Sequence, residues 1–297
     1  MPFKTIRPPA TLTAFSSYST LAFNGPDAGA FLQAQTMNDV AGLALGRWQW
    51  NGWLTAKGRV VALFALARLG ESEFLAVLPD FPAAELKPLL QRFVFRLKVR
   101  IETESAMVAA ATWPAMEAAI ATDSPGSLLG SREYGLGLTL GAPSSSRTLW
   151  LVPPAVRVSP AESSLDDAWL RADMAMGLPR LSPAQREAWT PQMLSLERLP
   201  AFSLKKGCYP GQEIVARTHY LGQARRRLSR IVGVELAEAD AVSDRLGTAI
   251  GSVIRVSGDG TEGLAVIQAD FDGMAPSVHG RVVSLPPFQE VGELPAV

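Results

Sequence analysis

The chain has 297 residues, of which 47% are hydrophobic and 19% charged, and 28 basic and 28 acidic residues give zero net charge. This composition argues against disorder and against bulk electrostatic binding of nucleic acid, although a local basic patch can still bind it. One cysteine and two histidines exclude a disulfide framework and a multi-cysteine metal site within the chain. The longest apolar run, residues 60–67, is too short to cross a membrane, and no signal peptide is recognisable, so we expect a soluble cytoplasmic protein.

The first part of the chain predicts an α+β unit. A turn at residues 24–27 is followed by apolar residues at helical spacing. Three tryptophans in residues 47–53 surround Asn51-Gly52, a dipeptide typical of a hairpin turn. Further strands are predicted at residues 60–69, 74–78 and 97–102, and a helix at residues 82–95. Strands and a helix joined by short connections favour a ferredoxin-like subdomain over a doubly wound sheet.

The later part predicts more strands and then a separate β-barrel. We expect strands near residues 108–112 and 149–152, and helices near residues 114–121 and 163–176. The last helix stops at Gly177, as Pro179 beyond it indicates. Beyond Gly222, short β-branched runs separated by Gly, Asp and Ser predict a small antiparallel β-barrel. We therefore expect an α+β region of two interleaved subdomains at residues 1–222 and the barrel at residues 223–297.

The only cysteine, Cys208, lies in the segment KKGCYPGQEIVAR at residues 205–217. Pro210 suits the first turn of a helix, and a carboxylate at Glu213 suits the positive end of the helix dipole. A thiol that follows two lysines and lies near a helix start loses its proton more easily than a free cysteine. Cys208 is therefore a candidate thiolate, with a buried structural cysteine as the alternative.

Other features leave two interpretations open. Lys57-Gly58-Arg59 is either a solvated turn or a loop that meets an anionic ligand. Arg225-Arg226-Arg227 is either a solvated linker or a grip for a polycarboxylate tail or RNA phosphates. The three tryptophans of residues 47–53 are either core or a stacking wall for a flat heteroaromatic ring. A Cys–His hydrolase pair is disfavoured because His219 lies about three helical turns beyond Cys208.

The motif KGCYPGQEIVAR at residues 206–217 resembles the signature of the YgfZ family, folate-binding proteins related to the glycine-cleavage T-protein, an aminomethyltransferase. The likeness covers most of the chain. Its other parts are FLQAQ at residues 31–35, NDV at 38–40, TAKGRV at 55–60, Arg171 with GLP at 177–179, and PQ at 191–192. Ser195 stands where the family usually has Asn.

The resemblance implies ferredoxin-like α+β subdomains and a C-terminal antiparallel β-barrel around a cavity that takes tetrahydrofolate or a derivative. It implies a role in the assembly or repair of iron–sulfur clusters in client enzymes, including radical enzymes that modify tRNA. The family's functional lysine and cysteine fall on Lys206 and Cys208. Its candidate folate ligands fall on Gln212, Glu213 and Arg217, and we add Lys57 and Arg59 as candidates for the glutamate-tail carboxylates.

One departure bears on the reaction. The T-protein carries a catalytic aspartate shortly after its Gly-centred hairpin, whereas the matching stretch here is VVALF at residues 60–64. Leu63 cannot assist the folate nitrogen, so we expect folate binding without aminomethyl transfer. The alternatives are a folate-dependent aminomethyl or methyl transferase, and an RNA-binding tRNA-modification factor that uses Arg225–Arg227.

Overall fold

The computed structural model describes residues 7–9, 11–15, 17–79, 81–104, 108–112, 126–140, 147–222 and 224–289. The helix predicted near residues 114–121 lies outside these ranges. Among the helices of the described part, none is long and apolar enough to span a bilayer.

The described elements are mostly short strands. The strands are β1 (Thr13–Ala14), β2 (Tyr18–Asn24), β3 (Trp48–Leu54), β4 (Val60–Gly70), β5 (Glu73–Pro79), β6 (Arg100–Thr103), β7 (Val108–Thr112), β8 (Leu128–Ser131), β9 (Gly135–Leu140), β10 (Arg147–Val152), β11 (Arg226–Val232), β12 (Ala241–Ser243), β13 (Ala249–Val256), β14 (Glu262–Gln268), β15 (Ser277–Val278) and β16 (Arg281–Val282). The helices are α1 (Ala28–Gln35), α2 (Ala83–Gln91), α3 (Ser163–Met176) and α4 (Gln212–Tyr220).

Two five-stranded antiparallel sheets build the α+β part, in the orders β3-β4-β5-β2-β6 and β1-β7-β10-β9-β8. Strand β4 is apolar along nearly its whole length because both of its faces are buried. Phe64 and Leu66 pack in one core cluster with Phe31 of α1 and Leu86 of α2. On the other face, Leu63 joins a core cluster that includes residues of the second sheet and of α3.

The third sheet has the strand order β11-β14-β13-β12-β15-β16. Val232 and Ser284 exchange two backbone hydrogen bonds of 2.9 Å, which bring the two outer edges of this curled sheet together. The predicted C-terminal β-barrel is thereby confirmed. The domain boundary near Gly222 remains our proposal; this residue lies between the end of α4 and the start of β11.

One arginine of α3, Arg171, connects this helix to the barrel by ion pairs. The Arg171 guanidinium donates to Asp167 on its own helix at 2.7 Å, to Asp259 at 2.6 Å and to Glu262 of β14 at 2.8 Å. Helix α3 then ends as predicted at Gly177, whose φ of 76° is left-handed.

The hairpin predicted at Asn51-Gly52 is wrong, since both residues lie inside β3. Asn51 Oδ1 accepts the N–H groups of Asn38 and Gly52, so its side chain serves buried backbone rather than a turn. A Cβ on Gly52 would lie 2.7 Å from Met37 Cε, which explains the glycine by close packing. The turn itself falls at residues 55–58, where Gly58 has a φ of 69°.

Two predicted boundaries also need correction. Helix α2 ends at Gln91 rather than near residue 95, and the strand predicted from residue 97 begins only at Arg100. The eight residues 92–99 between them form turns and irregular backbone, with Phe95 at a left-handed φ of 45°.

Candidate functional site

A cavity of about 500 Å³ lies beside the segment that precedes the Cys208 motif. Its lining comes from the chain after α1, the start of β3, residues 197–205 and one residue of α4. The lining residues are Asn38, Gly42, Leu43, Ala44, Arg47, Trp48, Gln49, Glu197, Pro200, Phe202, Ser203, Leu204, Lys205 and His219. Half of these residues are apolar and provide most of the wall's surface, and the others provide two amides, a hydroxyl, two cations, a histidine and one carboxylate. This combination is typical of a site for a small organic molecule.

The carboxylate belongs to Glu197, which a short 3₁₀ turn, Leu196–Arg198, presents to the cavity. Ser195 precedes this turn with a left-handed φ of 49°, a region where Asn is enriched among non-glycine residues. Its hydroxyl accepts the Leu228 N–H at 3.2 Å, which ties the turn to β11. Glu197 is accessible to water through the open cavity, yet the surrounding protein partly desolvates it and raises the pKa of its carboxyl, against opposing effects from Arg198 and His219.

Asn38 holds the cavity wall together from three sides. Its side-chain amide donates to Trp50 O at 2.8 Å and to Pro200 O at 2.7 Å, and its own N–H donates to Asn51 Oδ1. Gln49 is fixed by donating to Asp39 O at 3.0 Å. The wall is thus preorganised by hydrogen bonds, one of which joins Asn38 to Pro200, 162 positions away in the sequence.

Lys206 is buried, with 7% of its surface exposed, and joins the Cys208 segment to the end of α1. Its Nζ donates to Thr36 O at 2.5 Å and to Asn38 O at 2.9 Å, and lies 5.0 Å from the centre of the Tyr209 ring. Burial lowers the pKa of Lys206 to about 8, with Asp39 acting in the opposite direction. The ammonium therefore positions Asn38, a cavity residue, against the signature segment.

Cys208 is exposed and lies in irregular chain before α4. Helix α4 starts at Gln212 with Gly211 as its N-cap, so Pro210 precedes the first turn instead of occupying it, which corrects the predicted helix start. The Lys206 ammonium is engaged by the two carbonyls rather than by the thiol. The structure thus gives an accessible cysteine next in the chain to a positioning lysine, and does not join them as a pair.

The turn at residues 55–58 packs directly on the start of α4. A Cβ on Gly211 would lie 2.6 Å from both Gly58 Cα and Thr55 O, and Gly211 has a φ of 80°. Glycine is thus required for two reasons at this contact, and the TAKGRV and KGCYPGQE motifs meet there. Arg59 donates to Ala188 O at 2.6 Å, whereas the Lys57 side chain is exposed.

The other ligands predicted from the resemblance lie on α4. Gln212 donates to Lys206 O at 3.2 Å, and Glu213 and Arg217 are exposed. None of the five predicted folate ligands, Gln212, Glu213, Arg217, Lys57 and Arg59, is among the residues that line the cavity. Their roles stay predictions.

Sequence reasoning missed Glu197 and Gln49, and left the tryptophans undecided. Trp48 lines the cavity, while Trp50 and Trp53 are core residues. Glu197 had one available signal, a charge between Leu196 and Leu199 in the short stretch that joins the PQ and KGCYPGQE motifs. Across the described ranges, no group of three or more His, Cys, Asp or Glu side chains is placed to hold a metal ion.

Two comparisons with known proteins identify the class to which this fold belongs. The GCVT N-terminal domain family model matches residues 3–112. The glycine cleavage system aminomethyltransferase T from Bartonella henselae superposes with a TM-score of 0.73 at 16% identity, covering 93% of this chain and 84% of that one. The protein therefore has the aminomethyltransferase T-protein fold, and the predicted fold class is confirmed.

Several similar relatives carry the name of one protein. The tRNA-modifying protein YgfZ of Vibrio vulnificus (strain YJ016) is 28% identical over 275 residues, which cover 89% of this chain and 82% of the relative. The tRNA-modifying protein YgfZ of Sodalis glossinidius is 26% identical over 272 residues, covering 87% and 82%. The resemblance of the chain to the YgfZ family is thereby confirmed.

Proposed function

We propose that this chain is a tetrahydrofolate-binding accessory protein for the assembly or repair of iron–sulfur clusters in specific enzymes, including radical enzymes that modify tRNA. Two findings support the proposal: several similar relatives are named tRNA-modifying proteins, and the fold is that of an aminomethyltransferase T-protein. The observation that carries it is the cavity with a single carboxylate, Glu197, on a mainly apolar wall.

The chemistry of a reduced folate matches this cavity. A pterin is flat and carries an amino group beside a ring N–H, so both groups can donate to one carboxylate, as Glu197 provides. Trp48 and Phe202 supply apolar and aromatic wall. Lys205, also on the lining, supplies a cation for the carboxylates of the glutamate tail. The exposed cations Lys57 and Arg217, both predicted from the sequence, are proposed as further contacts for that tail.

Glu197→Gln should weaken binding of 5-formyltetrahydrofolate at least tenfold in a calorimetric titration. The substitution preserves the shape of the side chain but removes the charge, and hydrogen bonds to a charged group contribute about 1.5–3 kcal/mol. The matched control is Glu71→Gln, because Glu71 is exposed in the turn between β4 and β5 and does not line the cavity. A loss of affinity in the control alone, or no saturable binding by the native chain, would contradict the cavity assignment.

Cys208→Ser should abolish support of a client enzyme while leaving folate affinity unchanged, because Cys208 is exposed and does not line the cavity. The measurement is the activity of a cluster-dependent tRNA methylthiotransferase, under oxidative stress, in a strain that lacks the protein and carries the variant. Folate titration of the purified variant is the control. Full rescue of the enzyme by Cys208→Ser would remove the thiol from the mechanism.

The transferase alternative lacks a second acidic group. Leu63, at the position that resembles the T-protein aspartate, is a buried core residue of β4, and Glu197 is the one carboxylate among the lining residues. General acid–base work on a folate nitrogen needs a group that can exchange a proton, which leucine does not offer. Sustained formation of methylenetetrahydrofolate from an aminomethyl-lipoyl carrier would favour the transferase over the accessory role.

A further inference from the structure

The connection between α2 and β6 displays positive charge and aromatic surface side by side. This basic–aromatic loop, residues 92–99, has the sequence RFVFRLKV. All of its residues are exposed except Val94 and Val99, which are half-buried. Phe95 is 87% exposed and Phe93 is 44% exposed, although large aromatic side chains are usually buried in a folded protein.

The loop is held at both ends, so the exposure of Phe95 does not come from a lack of anchoring. The Phe93 ring meets the core residue Trp53 edge-on, with the ring centres 6.0 Å apart. At the other end, the Lys98 N–H donates to Asp27 Oδ2 at 2.6 Å. Gly25 packs so closely that an added Cβ would lie 2.2 Å from Lys98 O. The backbone between these anchors is thus positioned by the fold.

Phe95 combines full exposure with an unfavourable backbone conformation. Its φ of 45° is left-handed, a rare region for a bulky residue without glycine's freedom. The Arg96 guanidinium lies 5.4 Å from the ring centre. Because the strain and the exposure are not offset by packing at this position, they indicate that the loop is shaped for an external ligand.

The charge of the loop is not neutralised by the fold. Among the described residues, the side chains of Arg92, Arg96 and Lys98 have no ion-pair partner, and Arg100 makes only a 3.7 Å contact with exposed Glu102. A shallow groove of about 460 Å³ runs between this segment and the start of β6. In a chain of zero net charge, this is a local concentration of positive charge suited to an anionic polymer.

We propose that the basic–aromatic loop binds single-stranded nucleic acid, with a base stacked on Phe95 and the phosphates contacted by Arg92, Arg96 and Lys98. Unpaired bases stack on exposed aromatic rings irrespective of sequence, while cations follow the backbone. A membrane surface fits less well because the apolar side chains of the loop, of which only Phe95 is more than half exposed, offer far less apolar area than an interfacial helix. The proposal is independent of the folate cavity, whose lining includes none of these residues.

The test is fluorescence anisotropy of the full chain with a labelled 12-residue oligouridylate at several salt concentrations. Phe95→Ala should weaken binding at least fivefold, and Phe95→Trp should restore it, because stacking on one base is lost and regained. Replacing Arg92 and Arg96 together by Ser should make the slope of log K against log salt concentration less steep by about 1.4, since each phosphate contact on a single strand contributes about 0.7.

The matched control removes the same charge elsewhere, with Arg225→Ser and Arg227→Ser at the exposed entry to β11. If this pair loses affinity while Phe95→Ala binds like the native chain, the nucleic-acid site lies at Arg225–Arg227 and the proposal is wrong. Absence of oligonucleotide binding by the native chain, with or without binding to phosphatidylglycerol vesicles, overturns it as well. Thermal unfolding should be unchanged in all variants, because every substituted side chain is at least partly exposed.

Discussion

Asp173→Ala should reduce the free energy of unfolding by about 3–5 kcal/mol, the range found when one partner of a buried ion pair is removed. Asp173 is fully buried in α3 and its carboxylate contacts the guanidinium of Arg147, which is also fully buried. A second guanidinium, that of Arg180, lies 3.5 Å from the other carboxylate oxygen. Without the carboxylate, two buried cations face one another, a state that costs more than the loss of a single contact.

The geometry around Arg147 explains why water does not easily compensate. Arg147 also donates to Trp169 O at 3.0 Å and stacks over the Trp169 ring at 4.3 Å, so its position is fixed by α3. Trp169 in turn donates to the Tyr18 hydroxyl at 2.9 Å. The cluster thus joins β10 to α3 through the Asp173 carboxylate, and α3 to the start of β2 through the Trp169 indole.

Urea unfolding followed by circular dichroism measures the effect, with Asp270→Ala as the control, because Asp270 is an exposed aspartate in the turn that follows β14. The control should change the free energy of unfolding by less than about 0.5 kcal/mol. A triple replacement, Arg147→Met and Arg180→Met with Asp173→Leu, should recover much of the loss, since apolar residues of similar size can replace a buried group of ion-paired residues. If Asp173→Ala lowered the free energy of unfolding by less than about 1 kcal/mol, the guanidiniums of Arg147 and Arg180 would have to be hydrated in the variant, and the prediction would be wrong.

Much of the fold could be predicted from local sequence patterns. The helix stop at Gly177 and the apolar run of β4 were predicted correctly because each depends on one residue's backbone freedom or on burial of a whole strand. The prediction at Asn51-Gly52 was wrong because the same dipeptide occurs both in hairpin turns and in closely packed strands. Here the contact of Gly52 with Met37 and the hydrogen bond of Asn51 with Asn38 fix it in a strand. The distinction depends on contacts across the fold, which periodicity does not contain.

The site shows the same limit. Lys206 and Cys208 are two residues apart, so the sequence suggests that the amine and the thiol act together. In the structure the Lys206 ammonium instead donates to the carbonyls of Thr36 and Asn38, about 170 positions away in the chain. Glu197 is a candidate ligand only because it lines a cavity, and the walls of that cavity come from four separate segments of the chain. The resemblance predicted the fold, which is confirmed, while the residues that line the cavity required the three-dimensional structure.

Lys206→Met should weaken folate binding at least tenfold and lower the free energy of unfolding by about 2 kcal/mol. Two buried carbonyls lose a charged donor, each such bond contributing about 1.5–3 kcal/mol, and the relief of burying a charge offsets part of the loss. Affinity falls because Asn38, a lining residue, loses its anchor. Lys87→Met, a lysine of α2 away from the cavity, is the control and should leave folate affinity unchanged.

The pH dependence of the free energy of unfolding tests whether burial disfavours the charged form of Lys206. Because burial lowers the pKa of Lys206 from 10.5 to about 8, the unfolded chain holds this proton more tightly than the folded chain between those values. The contribution of Lys206 to the free energy of unfolding must therefore increase as pH rises from about 8 to 10.5, by at most about 1.4 kcal/mol per pH unit. The neutral amine still has two N–H groups for the two carbonyls, so both hydrogen bonds persist. Urea unfolding at pH 7, 8, 9 and 10 should show the native chain gaining on Lys206→Met across this range, whereas parallel curves would show that the ammonium is as well solvated in the fold as in water.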